Sequence, residues 1–177
     1  MTMDDLMTRA ASAGELLRAR GETVAVAESS AGGLICAALL TVPGASAYFR
    51  GGGVVYTGVS KQTLMGVSDE AMAEARAATE VHALHLARAA KARLDATWGI
   101  GETGAAGPTG NRYGDPPGHA CVGVAGPVCR TATVKTGDAD RAENMAAFAA
   151  AALDLLEACL KACAGARSEN PEGSSRT

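Results

Sequence analysis

Hydrophobic and polar positions change period several times along the chain, and each change marks an element. Residues from about Asp4 to Arg20 form a helical block that stops at Gly21, a residue suited to the left-handed turn after a helix. Thr23–Ala27 is a short β-branched run predicted as a strand, and Leu34–Leu40 continues with good helix formers. A loop over Val42–Ser46 and an apolar piece reaching Phe49 precede a glycine-led strand from Gly51. A turn and a short helix carrying Lys61 follow. Ser68-Asp69-Glu70 resembles a capped helix start, and Thr79–Ala96 is predicted as a longer helix with Val81, Leu84, Leu86 and Leu94 as its apolar positions. After the strand-like Trp98-Gly99-Ile100 comes a polar loop, Gly104 to Gly118. His119–Val124 and Thr131–Thr136 are predicted as a hairpin around Gly126-Pro127. The last helix, about Ala139 to Lys161, places Met145, Phe148, Ala152, Leu155 and Cys159 on one side.

Helices separated by single strands early, then a hairpin late, predict an α/β fold of three layers. Its sheet is expected to be mixed and mostly parallel, with helices on both faces. Neither a repeat nor a linker divides the chain, so residues 1–164 are expected to form one domain. Residues 165–177 are rich in Gly, Ser, Glu and Arg, contain Pro171, and are expected to be a disordered tail.

A net charge of −3 provides no electrostatic drive toward nucleic acid or a membrane surface. With three Tyr, two Phe and one Trp, an aromatic platform for stacking single strands is not expected either. Asp4 and Asp5 with no apolar core behind them do not read as a signal peptide, and no apolar run approaches the roughly 20 residues of a membrane span. Five cysteines without a C-x-x-C pair read as reduced, mostly buried small hydrophobes, so the expected location is the cytoplasm.

Candidate chemistry collects at three strand ends. Ala27-Glu28-Ser29-Ser30-Ala31-Gly32-Gly33 sits where an apolar strand gives way to a helix. Such a turn offers backbone N–H groups and a helix dipole to an anion or a developing oxyanion, although a serine there also serves as a plain helix cap. Gly51–Gln62 delivers Tyr56 and then Lys61, and Gly104-Ala105-Ala106-Gly107-Pro108-Thr109-Gly110 follows the Trp98 strand. Three such ends are what an open α/β sheet places around a ligand crevice.

Together these segments resemble the CinA C-terminal domain family, the competence/damage-inducible proteins, whose stand-alone members include the nicotinamide-nucleotide amidases. The family's Ala-Glu-Ser-Cys-Thr-Gly-Gly motif is matched by Ala27 to Gly33, with Ser30 and Ala31 substituted. Its Val-x-Tyr-Ser-Asn-x-x-Lys pattern is matched by Val54, Tyr56 and Lys61, with Gly58 in place of Asn. Its Gly/Pro motif is matched by Gly104, Ala106 to Pro108, Gly110, Pro116 and Gly118. The likeness runs from about Leu6 to about Leu160. It implies a three-layer domain that usually forms homodimers or higher homo-oligomers. It also implies a small nucleotide-like substrate, with no cofactor and no metal.

The resemblance assigns Ser29 as nucleophile, Lys61 as its general base and Tyr56 as an assisting hydroxyl. A lysine acting near neutrality must have its neutral form favoured by about 4 kcal/mol over its ordinary balance, which burial or a nearby cation supplies. Ser30, Gly32, Gly33, Thr103, Gly107, Thr109 and Arg141 are the candidate substrate-binding residues. Each has a plainer reading: Tyr56 as core, Lys61 as a solvated helix residue, Thr103 and Thr109 as turn stabilisers. Glu28 paired with Lys61 would oppose base catalysis, so Glu28 is expected to make backbone contacts. His82 and His85, three apart, read as a solvated helix face; Cys159 with Cys163 and His119 with Cys121 do not read as metal sites.

Several positions depart from the family pattern. Besides Ser30, Ala31 and Gly58, His119 replaces a usual threonine, and Ala139 and Glu143 fall where arginines suited to a phosphate are often found, leaving Arg141. The expected function is hydrolysis of the carboxamide of nicotinamide mononucleotide to the acid and ammonia. The alternatives are a binding paralogue without turnover and an amidase for another nucleotide-like amide.

Overall fold

The computed structural model describes residues 1–168. Strand β1 (Val24–Glu28) is buried along its whole length, and its side chains sort by size. Val24 and Val26 join one core, Ala25 and Ala27 the other, as the two-residue period of a strand requires. Strand β3 (Trp98–Ala105) repeats the pattern: Trp98 and Ile100 face the first core, while Gly99 and Gly101 lie beneath helix α5 (Glu80–Arg93). Strand β4 (His119–Ala125) does so again with Val122 and Val124 against Gly123. The sheet therefore has a large-residue face and a small-residue face.

With β2 (Phe49–Val54) and β5 (Cys129–Lys135) the order is β2-β1-β3-β4-β5. β1 pairs in parallel with β2 and β3, whereas β4 pairs antiparallel with β3 and β5. Only β4 runs against the other four, so the expected mixed, mostly parallel sheet is what forms.

Helices α1 (Met3–Arg20), α2 (Leu34–Thr41) and α6 (Arg141–Ser168) pack against one another on the large face. Leu6, Leu17, Ile35, Leu39, Phe148, Leu153, Leu156 and Leu160 bury against it. The other face carries α5, with the short α3 (Gly58–Met65) and α4 (Asp69–Glu74) beside it. Here backbones meet closely. A Cβ on Gly101 would fall inside the Ala83 carbonyl, and one on Gly99 inside the Ala87 carbonyl, so glycine is required at both.

That close approach changes the reading of α5. Its buried face is His82, Ala83, Leu86, Ala87 and Ala90, while Val81 stands in solvent and Leu84 and Leu94 are only half-buried. Small residues, not the largest apolar ones, fit a helix lying on glycines. α6 continues through Ser168, into the segment expected to be a tail; the rest of that segment lies outside the described residues. Of the cysteines, Cys121, Cys159 and Cys163 are buried, Cys36 is half-buried and Cys129 is exposed, all as free thiols. Among the described residues no helix is long and apolar enough to cross a membrane.

β1 connects to β2 on one side, and the chain returns to place β3 on the other. The strand order thus reverses between β1 and β3, where open α/β sheets leave a crevice beyond their C-terminal ends.

Candidate active site

Ser29 follows β1 at the mouth of this crevice. It is not the cap of α2. That position belongs to Gly33, whose φ of 103° lies in the left-handed region and whose residue makes no side-chain cap bond. The donors of the first turn go instead to the buried Glu28, which accepts from Ile35 N at 3.1 Å and Cys36 N at 3.0 Å. Glu28 thus makes the backbone contacts expected of it, and Ser29 has no capping duty.

A second buried carboxylate, Glu102 of β3, holds the turn from the other side. Its Oε2 accepts from Ser29 N at 2.9 Å and Ala31 N at 2.8 Å, and its Oε1 is hydrogen-bonded to the Ser30 hydroxyl. Burial pushes the Glu102 carboxyl above the usual carboxylate range. These bonds revise the expectation that backbone N–H groups from Ser30 to Gly33 serve an anion. The Ala31 N–H is occupied by Glu102, and the Gly32 N–H donates to Ser29 O at 3.2 Å. Among the described residues the Ser30 and Gly33 N–H groups have no partner, and of the two Ser30 N–H is the one adjacent to Ser29.

Ser29, Tyr56, Lys61 and Thr103 line one cavity of about 660 Å³. Lys61, near the middle of α3, is only 4% exposed, and burial lowers its pKa despite the opposing pull of Glu102. Its Nζ lies 3.0 Å from His82 Nε2. His82 is 1% exposed on the inner face of α5, not on a solvated one. Its Nδ1 lies 3.0 Å from the Ala75 carbonyl, which can only accept, so Nδ1 carries the ring proton. Burial and the neighbouring Lys61 push its pKa down to about 4. The imidazole is therefore neutral near pH 7, and Nε2 accepts from Lys61.

Tyr56 is 59% exposed between this cavity and a smaller one of about 230 Å³. The smaller cavity is lined by Ser30, Gly107, Thr109 and Arg141, so four of the candidate binding residues do come together. Arg141, at the start of α6, donates to Gly107 O at 2.6 Å and to the Tyr56 hydroxyl at 3.4 Å. The buried Asn144, one turn later, donates to Ala106 O at 2.8 Å and Asp138 O at 2.9 Å, tying the Gly/Pro loop to α6. Thr103 accepts from Ala78 N at 3.1 Å while facing the larger cavity. Gly32 and Gly33 line neither cavity; they shape the turn.

Comparison with known proteins fits this arrangement. The sequence profile of the CinA C-terminal domain matches residues 7–160. The chain belongs to the CinA C-terminal domain family. A CinA-like protein of Anaeromyxobacter sp. strain K is 41% identical over 147 residues, covering 82% of this chain and 36% of that protein. One from Synechococcus elongatus is 45% identical over 114 residues, covering 64% of this chain and 27% of that protein. The chain thus spans between about a quarter and about a third of these curated relatives. Among solved structures, competence/damage inducible protein CihA from Agrobacterium tumefaciens superposes with a TM-score of 0.81 at 30% identity, covering 89% of this chain and 96% of that one. A CinA superfamily protein from Escherichia coli gives 0.81 at 25% identity, covering 89% and 93%.

On the CinA fold, the family motifs of this chain converge on the β1/β3 crevice. Sequence reasoning missed Glu102, His82 and the outer wall of the larger cavity. In that wall the Tyr113 ring has the Arg76 and Arg112 guanidinium carbons each 5.0 Å from its centroid. Asp115 pairs with Arg76 at 2.6 Å. The usable signals were a glutamate inside an otherwise small, apolar strand and an Arg-Tyr pair in the polar loop.

Proposed function

We propose that this CinA-family protein is a serine amidohydrolase acting on the carboxamide of nicotinamide mononucleotide. The observation that carries the reading is the environment of Lys61. It is buried in the same cavity as Ser29, its pKa is lowered by burial, and its nearest partner is a neutral imidazole rather than a carboxylate. A neutral amine is the form a general base needs. The family resemblance supports the substrate.

In this mechanism Ser29 Oγ attacks the carboxamide carbon as its proton passes to Lys61 Nζ. The oxyanion forms beside Ser30 N–H, held in place because Glu102 fixes the flanking peptides. Collapse breaks the C–N bond, and the proton on Lys61, with Tyr56 assisting, leaves with ammonia. Water then attacks the acyl-Ser29 ester as its proton passes to Lys61, and the ester C–O bond breaks as Lys61 returns that proton to Ser29 Oγ and the carboxylic acid leaves. The smaller cavity, with Thr109 and the Arg141 guanidinium, accommodates the phosphate. The family resemblance further supports a homo-oligomer.

A second reading, a nucleotide-binding member without turnover, draws on the hydrogen bond of Lys61, which goes to His82 rather than Ser29. Ammonia release from nicotinamide mononucleotide separates the two. Turnover abolished by Ser29→Ala supports the amidase; tight binding without turnover supports the second reading.

A further inference from the structure

We infer that His82 is a positioning residue for Lys61, taking one Nζ–H so that the amine lone pair points into the cavity that Ser29 lines. This inference rests on the amidase reading. It is built from contacts that leave the imidazole little freedom. The ring is buried on the inner face of α5. Nδ1–H donates to the Ala75 carbonyl just after α4, and Thr79 Oγ1 accepts from the His82 backbone N–H at 3.3 Å. Nε2 is thereby left as a lone acceptor aimed at Lys61. A neutral lysine has two N–H bonds and one lone pair, and rotation about its last bond would otherwise spread that lone pair over three directions. Fixing one N–H confines it to the two that remain.

A carboxylate in the same place would also orient Nζ, but it would hold the ammonium form. An imidazole whose other nitrogen is tied to a carbonyl orients without adding charge. The titratable and charged groups around the pair are Glu102, which faces Lys61 from β3, His85 on the same helix as His82, and Tyr56, Arg76, Arg112 and Tyr113, which line the same cavity. A serine nucleophile, a base and a third group that orients the base is a recurring arrangement, and here the third group is an imidazole.

The test measures kcat, KM and the pH profile of ammonia release for the full chain, for His82→Leu and for His82→Gln. Gln presents a carbonyl acceptor to Lys61 and an N–H to Ala75, reproducing the ring's two hydrogen bonds. His82→Leu is expected to lower kcat by roughly 10- to 100-fold with KM little changed, since a base misplaced by even an ångström costs about that much. Its acidic limb should move to lower pH, because the Lys61 ammonium loses an acceptor. His82→Gln should recover most of kcat. A His82→Leu enzyme within twofold of the wild type overturns the inference. So does a loss that leaves the acidic limb in place and is not rescued by Gln, which is how a packing residue behaves.

A second measurement does not depend on turnover or on the Leu variant folding. In ¹⁵N-histidine spectra, His82 should show a protonated Nδ1 and an acceptor-type Nε2 whose shift moves in Lys61→Met. A protonated Nε2, or a shift indifferent to Lys61, overturns the inference even if the protein releases ammonia. Absence of ammonia release from the wild type, with the ¹⁵N signature present, counts against the amidase reading instead.

Discussion

The two faces of the sheet are built from opposite materials. On one, Trp98, Ile100, Val24 and Val122 meet Leu, Ile and Phe side chains from α1, α2 and α6. On the other, Gly99, Gly101 and Gly123 meet the alanines of α5. The large face has the side-chain volume that supplies hydrophobic stabilisation. The small face brings a helix backbone close to the strands, and through it the buried His82 and its partner Lys61 come near the end of β1. Stability and positioning are thus divided between the faces, and each can be disturbed separately.

The largest effect should fall on chemistry alone. Ser29→Ala is expected to reduce ammonia release by roughly a thousandfold or more while leaving the thermal midpoint near that of the wild type, because Ser29 caps no helix. A large drop in the midpoint would show that the serine is part of the scaffold.

Next come the two faces themselves. Leu153→Ala, on the large face, should cost about 3 kcal/mol in denaturant unfolding with kcat of the folded protein nearly unchanged. Gly101→Ala should cost about 2 kcal/mol and also lower kcat, because the new methyl pushes α5 and His82 outward. Equal kcat values in the two variants would dissolve the contrast.

Glu102 tests the junction between the faces. Its folded pKa is raised, so above the ordinary carboxylate value the native state binds more protons than the unfolded chain. Its contribution to stability is present at low pH and is lost as pH rises through the folded value. A protonated Glu102 keeps all three bonds: Oε2 accepts both N–H groups and Oε1–H donates to Ser30. Glu102→Gln mimics that form, so its stability relative to the wild type should improve from pH 5 to pH 8. A Gln variant that weakens relative to the wild type over this range would mean that the charged carboxylate is needed.

The smaller of the two pH-linked stability effects is expected at Lys61. Its folded pKa is lowered, so between the folded and unfolded values the unfolded chain binds more protons, and stability declines as pH falls through the unfolded value toward the folded one. Lys61→Met, which has no charge to desolvate, should raise the midpoint by a few degrees near pH 7 and erase activity. A midpoint that falls would indicate that the ammonium is well paired in the fold.

Much of this arrangement was legible in the chain. Alternation in Val24–Ala27 and Trp98–Gly101 marks strands, and Thr57 and Ser68 cap the short helices as local rules require. The motif residues Ser29, Tyr56 and Lys61 do share one cavity. What escaped are pairings between distant segments. His82 resembled a solvated residue because its side-chain partners, Lys61 and the Ala75 carbonyl, come from other segments, not from its own helix. Glu102 stands out as a lone acid in a small, apolar strand, but nothing local points to its partners, since Ser29, Ser30 and Ala31 come from another strand end. Asn144 likewise serves loops that only the fold brings to α6.

The most direct test of the central claim is ammonia release from nicotinamide mononucleotide by the purified protein, with Ser29→Ala and Lys61→Ala alongside. Turnover in the wild type should vanish in both variants while both remain folded. Turnover that persists in either variant, or a folded wild type that releases no ammonia, would contradict it.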